Sequence, residues 1–448
     1  MIKHIELRCK YLNILGVAVI CLLLAQSASA QGKVPSIKTP PADSIARDTL
    51  KSDNTNNEMD VIDVLHWVFS KTHLFKSNKK KSLAGPFIVV IPYPSYTIAT
   101  GVEGVAPINI SFYTNPKERN QLSFFNNNFQ YTQFKQIIAL SVSNVYFGHD
   151  KWELIGDYRF YNFPTYTYGL GSETSLLNED AISYNQVRFY QLIMRQVVPN
   201  LSIGLGYHYD YHFGISDFNA QNGIVTDYAR YVFTTHGLPV PDAGNVAAAM
   251  QQYGFTKRST TSGASINLLY DSRDNSNTPL SGIYFAAQFR ANLSVFGSNS
   301  NYNSLTVDVR KYFRLPTKWY TELALWGYLW LTTNGNASYL DLPTTAGDMY
   351  NNTGRGYALG RFRGLNMLYL ESEFRFNILR NGLLGGVVFD NVESLSQWPS
   401  NSFGAVQPGV GLGLRLKINK RIKTSSAIDY GFGTGGSRGF AFNLNEVY

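Results

Sequence analysis

The chain reads as all-β: a transmembrane antiparallel up-and-down β-barrel of about 16 strands, with an arginine-bearing loop folded into its lumen. Three observations carry that reading. Apolar and polar residues alternate with a period of two through most of the chain after Pro86, as in strands whose successive side chains point to opposite faces. The apolar faces are rich in aromatic residues, 14% of the chain, while the opposite faces carry ionisable ones, which suits lipid outside and water inside. No stretch after residue 30 reaches the ~18 apolar residues of a spanning helix, and a closed barrel is the other way to satisfy the backbone in lipid. The competing fold is a large soluble β-sandwich or propeller, but no repeat of blade length is present.

Two segments show the alternation plainly. Leu201, Ile203, Leu205, Tyr207, Tyr209, Tyr211 and Phe213 share one face, against Ser202, Gly204, Gly206, His208, Asp210 and His212 on the other. Phe285, Ala287, Phe289, Ala291 and Leu293 alternate in the same way with Ala286, Gln288, Arg290 and Asn292.

Residues 1–30 read as a secretion signal. Lys3, Arg8 and Lys10 form a basic n-region, Leu12 to Leu24 an apolar core, and Ala28-Ser29-Ala30 a cleavage site before Gln31. Cys21 lies inside the apolar core, which argues against a lipoprotein box. Cys9 and Cys21 are the only cysteines, so the mature chain offers no disulfide framework and no thiolate chemistry. The signal takes three basic and one acidic residue from totals of 39 and 31, leaving 36 against 30. That mild balance, without a clustered Lys/Arg stripe, speaks against nucleic acid.

Residues 31–85 read as a disordered linker plus a short amphipathic helix. Gln31 to Glu58 is polar, with few large apolar residues. Over Asp60–His73, Val61, Val64, Leu65 and Val68 fall on one helical face, fit for a membrane surface, the lumen or a barrel rim. Lys79–Lys81 follow as a solvated spacer. Residues 86–448 form the barrel. The strands fall at about 87–93, 97–113, 120–131, 135–147, 151–161, 185–197, 200–213, 261–271, 282–295, 302–314, 318–332, 365–378, 382–391, 407–417, 422–431 and 438–447. Counted from a periplasmic N-terminus, even-to-odd connections such as Val198-Pro199-Asn200 and Leu315-Pro316-Thr317 are short. Odd-to-even ones such as 163–185, 214–260 and 333–364 are long. Outer-membrane barrels have this asymmetry.

The densest motif is Gly354-Arg355-Gly356-Tyr357-Ala358-Leu359-Gly360-Arg361-Phe362-Arg363-Gly364. On the following strand Tyr369, Glu371, Glu373 and Arg375 share one face, and Leu368, Leu370, Phe374 and Phe376 the other, with Ser372 the exception. Arginine's planar fork pairs with carboxylates and glycine permits close backbone approach, so this loop is expected to fold inward onto lumenal acids.

Here the chain resembles the outer-membrane assembly-factor and translocase superfamily, whose barrel is called bacterial surface antigen. Arg355-Gly356-Tyr357 is similar to the family's loop signature, with Glu371-Ser372-Glu373-Phe374-Arg375-Phe376 as the acidic strand after it. Asp271-Ser272-Arg273-Asp274-Asn275, with Pro279 and Gly282, is similar to its periplasmic turn. Val388-Phe389-Asp390 and the ending from Gly439 to Tyr448 are similar to its last strands. The resemblance implies that the loop arginine pairs with acids on the barrel wall. Arg355 is the matching position, Glu373 and Asp390 are the expected partners beside Glu371, and Arg361 is the competitor. It also implies that terminal Tyr448 belongs to a C-terminal insertion signal. Family members carry folded periplasmic modules; the stretch between Ala30 and Pro86 is too short for one, which implies a barrel-only variant.

Enzyme chemistry is not expected. His149, His208, His212 and His236 have no context selecting a nucleophile. His208 and His212 would stand about 13–14 Å apart along a strand, too far to share a metal ion. No cofactor is expected. Asp157 with Arg159, and Asp308 with Arg310, read as wall charges lining water. Expected partners are outer-membrane lipids, with protein clients or periplasmic accessory proteins. By resemblance, the barrel assists insertion or transport of protein or lipid at a weak seam between first and last strands. A passive porin-like channel and a scaffold that docks a partner are the alternatives. The expected location is the outer membrane of a Gram-negative-type bacterium, with the N-terminus in the periplasm.

Overall fold

The computed structural model describes residues 58–61, 63–64, 86–90, 92–97, 101–115, 121–162, 165–275, 278–316, 321–420, 423–444 and 446–448. The secretion signal, nearly all of the linker, the helix beyond Val64 and Lys79–Lys81 lie outside the described residues.

Period-two alternation produces strands throughout. They are β1 (Phe87–Val90), β2 (Tyr93–Thr97), β3 (Gly101–Phe112), β4 (Ser123–Thr132), β5 (Ile137–Phe147), β6 (Trp152–Asn162), β7 (Thr165–Thr167), β8 (Asp180–Val198) and β9 (Leu201–Asp217). The second half holds β10 (Arg258–Asp271), β11 (Gly282–Asn292), β12 (Tyr302–Arg314), β13 (Glu322–Gly335), β14 (Asn366–Asn377), β15 (Leu384–Leu395), β16 (Gln407–Asn419), β17 (Thr424–Phe432) and β18 (Arg438–Leu444).

The 18 segments form one antiparallel sheet and occupy about 16 strand positions, the number expected from the sequence. Two positions are each split in two. β1 and β2 pair with β3 in one unbroken register, Phe87 opposite Ser111 and Thr97 opposite Gly101. β6 and β7 likewise share one register on β8. Pro92 stands at the first break, where it has no N–H to give to the ladder.

Directly opposed residues share a face, so the registers separate inside from outside. Leu205, Ile266, Phe289, Leu305 and Leu331 are successive partners across β9 to β13. Leu205 and Ile266 are 64% and 68% exposed, so this apolar row is outward. The inward partners one residue along include Asn267, Gln288 and Thr306. Sheet order puts β18 beside β2, and the rings of Tyr93 and Phe442 come within 6.2 Å. Among the described residues no paired register joins the two, so the barrel-like sheet is not closed by a ladder there.

On the long-loop side, the connection after β9 folds into α1 (Phe218–Gln221), α2 (Asp227–Thr235) and α3 (Val246–Gln252). Asp217 and Thr226 cap α1 and α2, accepting from the amides of Ala220 and Ala229. Tyr228, Tyr231, Phe233 and Met250 pack there against Tyr339 and Leu342 of the loop that follows β13. The 214–260 connection, read from sequence as a loop, is thus a packed cap.

At the opposite, short-turn rim, residues 58–64 dock on the barrel. Asp60 and Asp63 accept from each other's backbone amides, a reciprocal helix-start cap. Met59 N–H donates to the Asn381 carbonyl at 3.0 Å. Lys420 donates through its amide to Asp60 and through Nζ to Asp63, both at 2.9 Å. Lys417 Nζ reaches Glu58 at 2.8 Å.

Candidate functional site

The loop between β13 and β14 enters the lumen and lies on the wall made by β14 to β17. Register places Tyr369, Glu371, Glu373 and Arg375 inward on β14, opposite Glu393, Asn391, Phe389 and Val387 of β15. The Arg355 guanidinium meets Glu371, Glu373 (2.5 Å) and Asp429 (2.8 Å). It stacks 3.7 Å from the Phe389 ring centroid. Asn391 donates to the Arg355 carbonyl at 3.0 Å. Arg375 and Arg415 extend the network: Arg375 to Glu373 (2.5 Å) and Glu322 (3.0 Å), Arg415 to Asp429 (2.5 Å) and Glu446 (2.7 Å). All of these carboxylates have cationic partners, which is what buried charges require.

Glycine lets the loop lie this close. Gly356 has φ +106°, and its Cβ position lies 2.9 Å from the Phe432 backbone. A Cβ on Gly431 would meet the Gly356 amide at 2.7 Å, and one on Gly409 would meet the Arg355 carbonyl at 2.8 Å. The inward face of β16–β17 is thus a glycine trough for the loop. Tyr357 extends beyond it, its hydroxyl donating to the Pro408 carbonyl at 2.6 Å and accepting from the Thr434 amide at 2.9 Å.

Arg361 turns the other way. It donates to the hydroxyl and carbonyl of Thr174 at 3.0 and 2.6 Å, and lies against the Tyr168 and Phe362 rings. Arg363 donates to the Tyr339 carbonyl at 2.9 Å. Arg355, not Arg361, meets the wall acids.

Asp390 corrects the sequence reading. It is not lumenal: it pairs with Ser372 and Val410 on the outward face, and it is exposed. Inward residues of β15 are the odd-numbered ones, so Asp390 stands one residue out of phase with the wall that Arg355 meets. Tyr448 also departs from a terminal residue on an amphipathic strand. β18 ends at Leu444, and Tyr448 packs inside, with its hydroxyl on the Ala324 carbonyl (3.1 Å) and its ring 5.1 Å from Trp326.

The turn between β10 and β11 is held from within. Asp271 accepts from the Arg273 guanidinium at 2.7 Å, and Asp274 accepts from the amides of Leu280 and Ser281. Gly282 has φ +105°, with the Ser272 carbonyl directly against its Cβ position. His208 bonds Ser265 at 2.8 Å, while His212 lies near Asp341. No group of three His, Cys, Asp or Glu residues could hold a metal among the described residues.

Sequence reasoning missed Asp429, Arg415, Phe389 and the glycine trough. The signal for the trough was present in Gly409-Val410-Gly411-Leu412-Gly413-Leu414, where every inward position of a strand has lost its side chain.

Barrel, lumenal arginine loop and acid wall together define an outer-membrane barrel of the insertion and translocation type. The chain belongs to the Omp85 superfamily, whose domain model matches residues 123–445. Among solved structures it is similar to BamA from Haemophilus ducreyi lacking POTRA domains 1–3, at 13% identity and TM-score 0.52, covering 80% of this chain and 70% of that one. It is also similar to CdiB from Acinetobacter baumannii, at 13% identity and TM-score 0.48, covering 80% of this chain and 59% of that one. Comparison with curated proteins finds no match.

Proposed function

We propose that the protein assists the insertion of proteins into the outer membrane, or the passage of protein or lipid across it, through the seam between β18 and β2. The observation that carries this reading is the missing ladder. Among the described residues every other pair of neighbouring strand positions shares a register, so this junction is where an incoming strand would find backbone donors and acceptors. Pro92 and Pro94 reduce the donors on that edge. The stapled loop supports this reading over a passive channel, because it fills the lumen against one wall. On this reading the short-turn rim and the docked residues 58–64 face the periplasm, where a client or accessory protein would arrive.

The test is a reversible lock. The mature chain has no cysteine, so Tyr93→Cys with Phe442→Cys introduces a single oxidisable pair across the seam. Outer-membrane proteins and lipids are then surveyed in cells relying on this variant, oxidised and reduced. A shortage of other barrels or altered lipid asymmetry on oxidation, restored by reductant, is expected. An unchanged membrane with a fully formed disulfide would rule the seam out.

A further inference from the structure

We propose that the outward face of β14–β15 around Asp390 is a docking surface for another membrane protein that presents a lysine or arginine at mid-depth. Asp390 and Ser372 are direct partners across the two strands, with the Ser372 hydroxyl donating to Asp390 Oδ1 at 2.5 Å. Leu370 and Phe374 flank Ser372, Val388 and Val392 flank Asp390, and Leu325 and Val410 stand opposite on the neighbouring strands. Asp390 is thus a carboxylate set in a belt of apolar side chains.

Its height matters. Asp390 follows Leu384, the short-turn end of β15, by six residues and precedes Leu395 by five. With ~3.3 Å rise per residue and a strand tilt of ~40°, it sits about 15 Å from the rim, near the centre of a ~25 Å apolar band. Lipid headgroups do not reach that depth. An ionised carboxylate can accept at about four sites, and Ser372 supplies one donor. Ionisable groups at such positions are costly in lipid and are ordinarily paired.

A second copy of this chain does not supply the pair. Among the described residues, the other acidic or basic side chains on the outward face lie near strand ends: Arg195 on β8, Arg258 on β10, Lys311 on β12 and Arg438 on β18. None stands at the height of Asp390. The complement is therefore a different membrane-embedded protein, with a basic residue on its own lipid-facing surface.

The experiment uses the full chain in its native outer membrane. A photo-crosslinking residue is placed at Val410, beside Asp390, and as a control at Leu205 on β9. The expected result is a protein adduct from Val410 and none from Leu205, with the joined partner peptide containing a lysine or arginine. Asp390→Asn should cut the adduct yield roughly tenfold, corresponding to about 1.4 kcal/mol, while Asp390→Glu retains it. Changing the partner's basic residue to Glu should abolish the adduct, and combining it with Asp390→Lys should restore it. Heat-modifiable migration monitors folding of each variant. Lipid-only products at Val410, or a yield that Asp390→Asn leaves unchanged in folded protein, would overturn the proposal.

Discussion

The lumen has two unlike walls. The β14–β17 wall is dense in charge, with Glu371, Glu373, Arg375, Arg415 and Asp429 drawn together around Arg355. The β3–β5 wall carries inward Asn126, Asn128, Ile138, Leu140 and Val142 and, Glu103 aside, no acidic or basic residue. The loop lies on the first wall. A cavity of about 990 Å³ lies beside the 346–359 stretch of the loop, bounded by Val105, Leu140 and Val142 of the second wall and elsewhere by charged residues such as Arg188, Arg290, Asp308 and Asp429. The contrast shows what holds a polar loop inside a barrel. Apolar packing of Tyr339, Leu342, Tyr357 and Phe362 anchors parts of the loop, and around Arg355 a network of satisfied ion pairs with glycine contacts holds it to the wall. The wall without charge remains free to line open space.

The sharpest way to break this comparison is Arg355→Ala. It leaves Glu371, Glu373 and Asp429 buried with one cation fewer, and removing one partner of a buried pair costs about 3–5 kcal/mol. The expected outcome is a lower unfolding midpoint in detergent together with a large rise in single-channel conductance as the loop leaves the wall. Arg355→Lys should recover little, because an ammonium cannot span three carboxylates and stack on Phe389. Unchanged conductance in a folded Arg355→Ala barrel would mean that the charged wall does not hold the loop.

Gly431→Ala probes the trough with a smaller effect. The new methyl would stand 2.7 Å from the Gly356 amide, between two backbones that cannot both yield. Overpacking of this kind costs about 1–3 kcal/mol. Conductance should rise less than in Arg355→Ala, with the ion network intact. Leu140→Asn sharpens the comparison from the other wall. Its side chain faces open cavity, so stability should shift by no more than about 0.5 kcal/mol and conductance should hold. A loss there as large as at Arg355 would erase the distinction between the walls.

Much of this was legible in the sequence. Alternation on 201–213 and 285–293 gave the faces that the registers place inward and outward, because a barrel wall has two environments and a strand has two sides. The long loop with Arg355, and the glutamates two residues apart on β14, pointed inward for the same reason. What could not be read was phase across strands. Asp390 sits in the motif beside Phe389, and a shift of one residue exchanges lumen for lipid. The cap helices were hidden because they are only 4, 9 and 7 residues long, too short for a helical period to stand out. Aromatic packing from Tyr228, Tyr231 and Tyr339 holds them, and those contacts join positions far apart in the chain.

The smallest expected effect is at the rim, where Lys420 holds residues 58–64. Its ammonium holds the Asp63 carboxyl below the ordinary carboxylate range, chiefly through their hydrogen bond. A carboxyl depressed in the folded state stabilises docking while pH is above the unfolded value. That contribution is lost as pH falls through the folded one, so the clamp should loosen below about pH 4 and be insensitive to pH above it. The pair is partly exposed to water, where such contacts are weak and screened by salt. Lys420→Ala should therefore leave the barrel's unfolding midpoint unmoved and increase proteolytic cleavage near residue 60 by only a few-fold, with high salt reproducing part of the change. Cleavage that stays constant in Lys420→Ala and in acid would show that Met59–Asn381 and Lys417–Glu58 suffice to dock the segment.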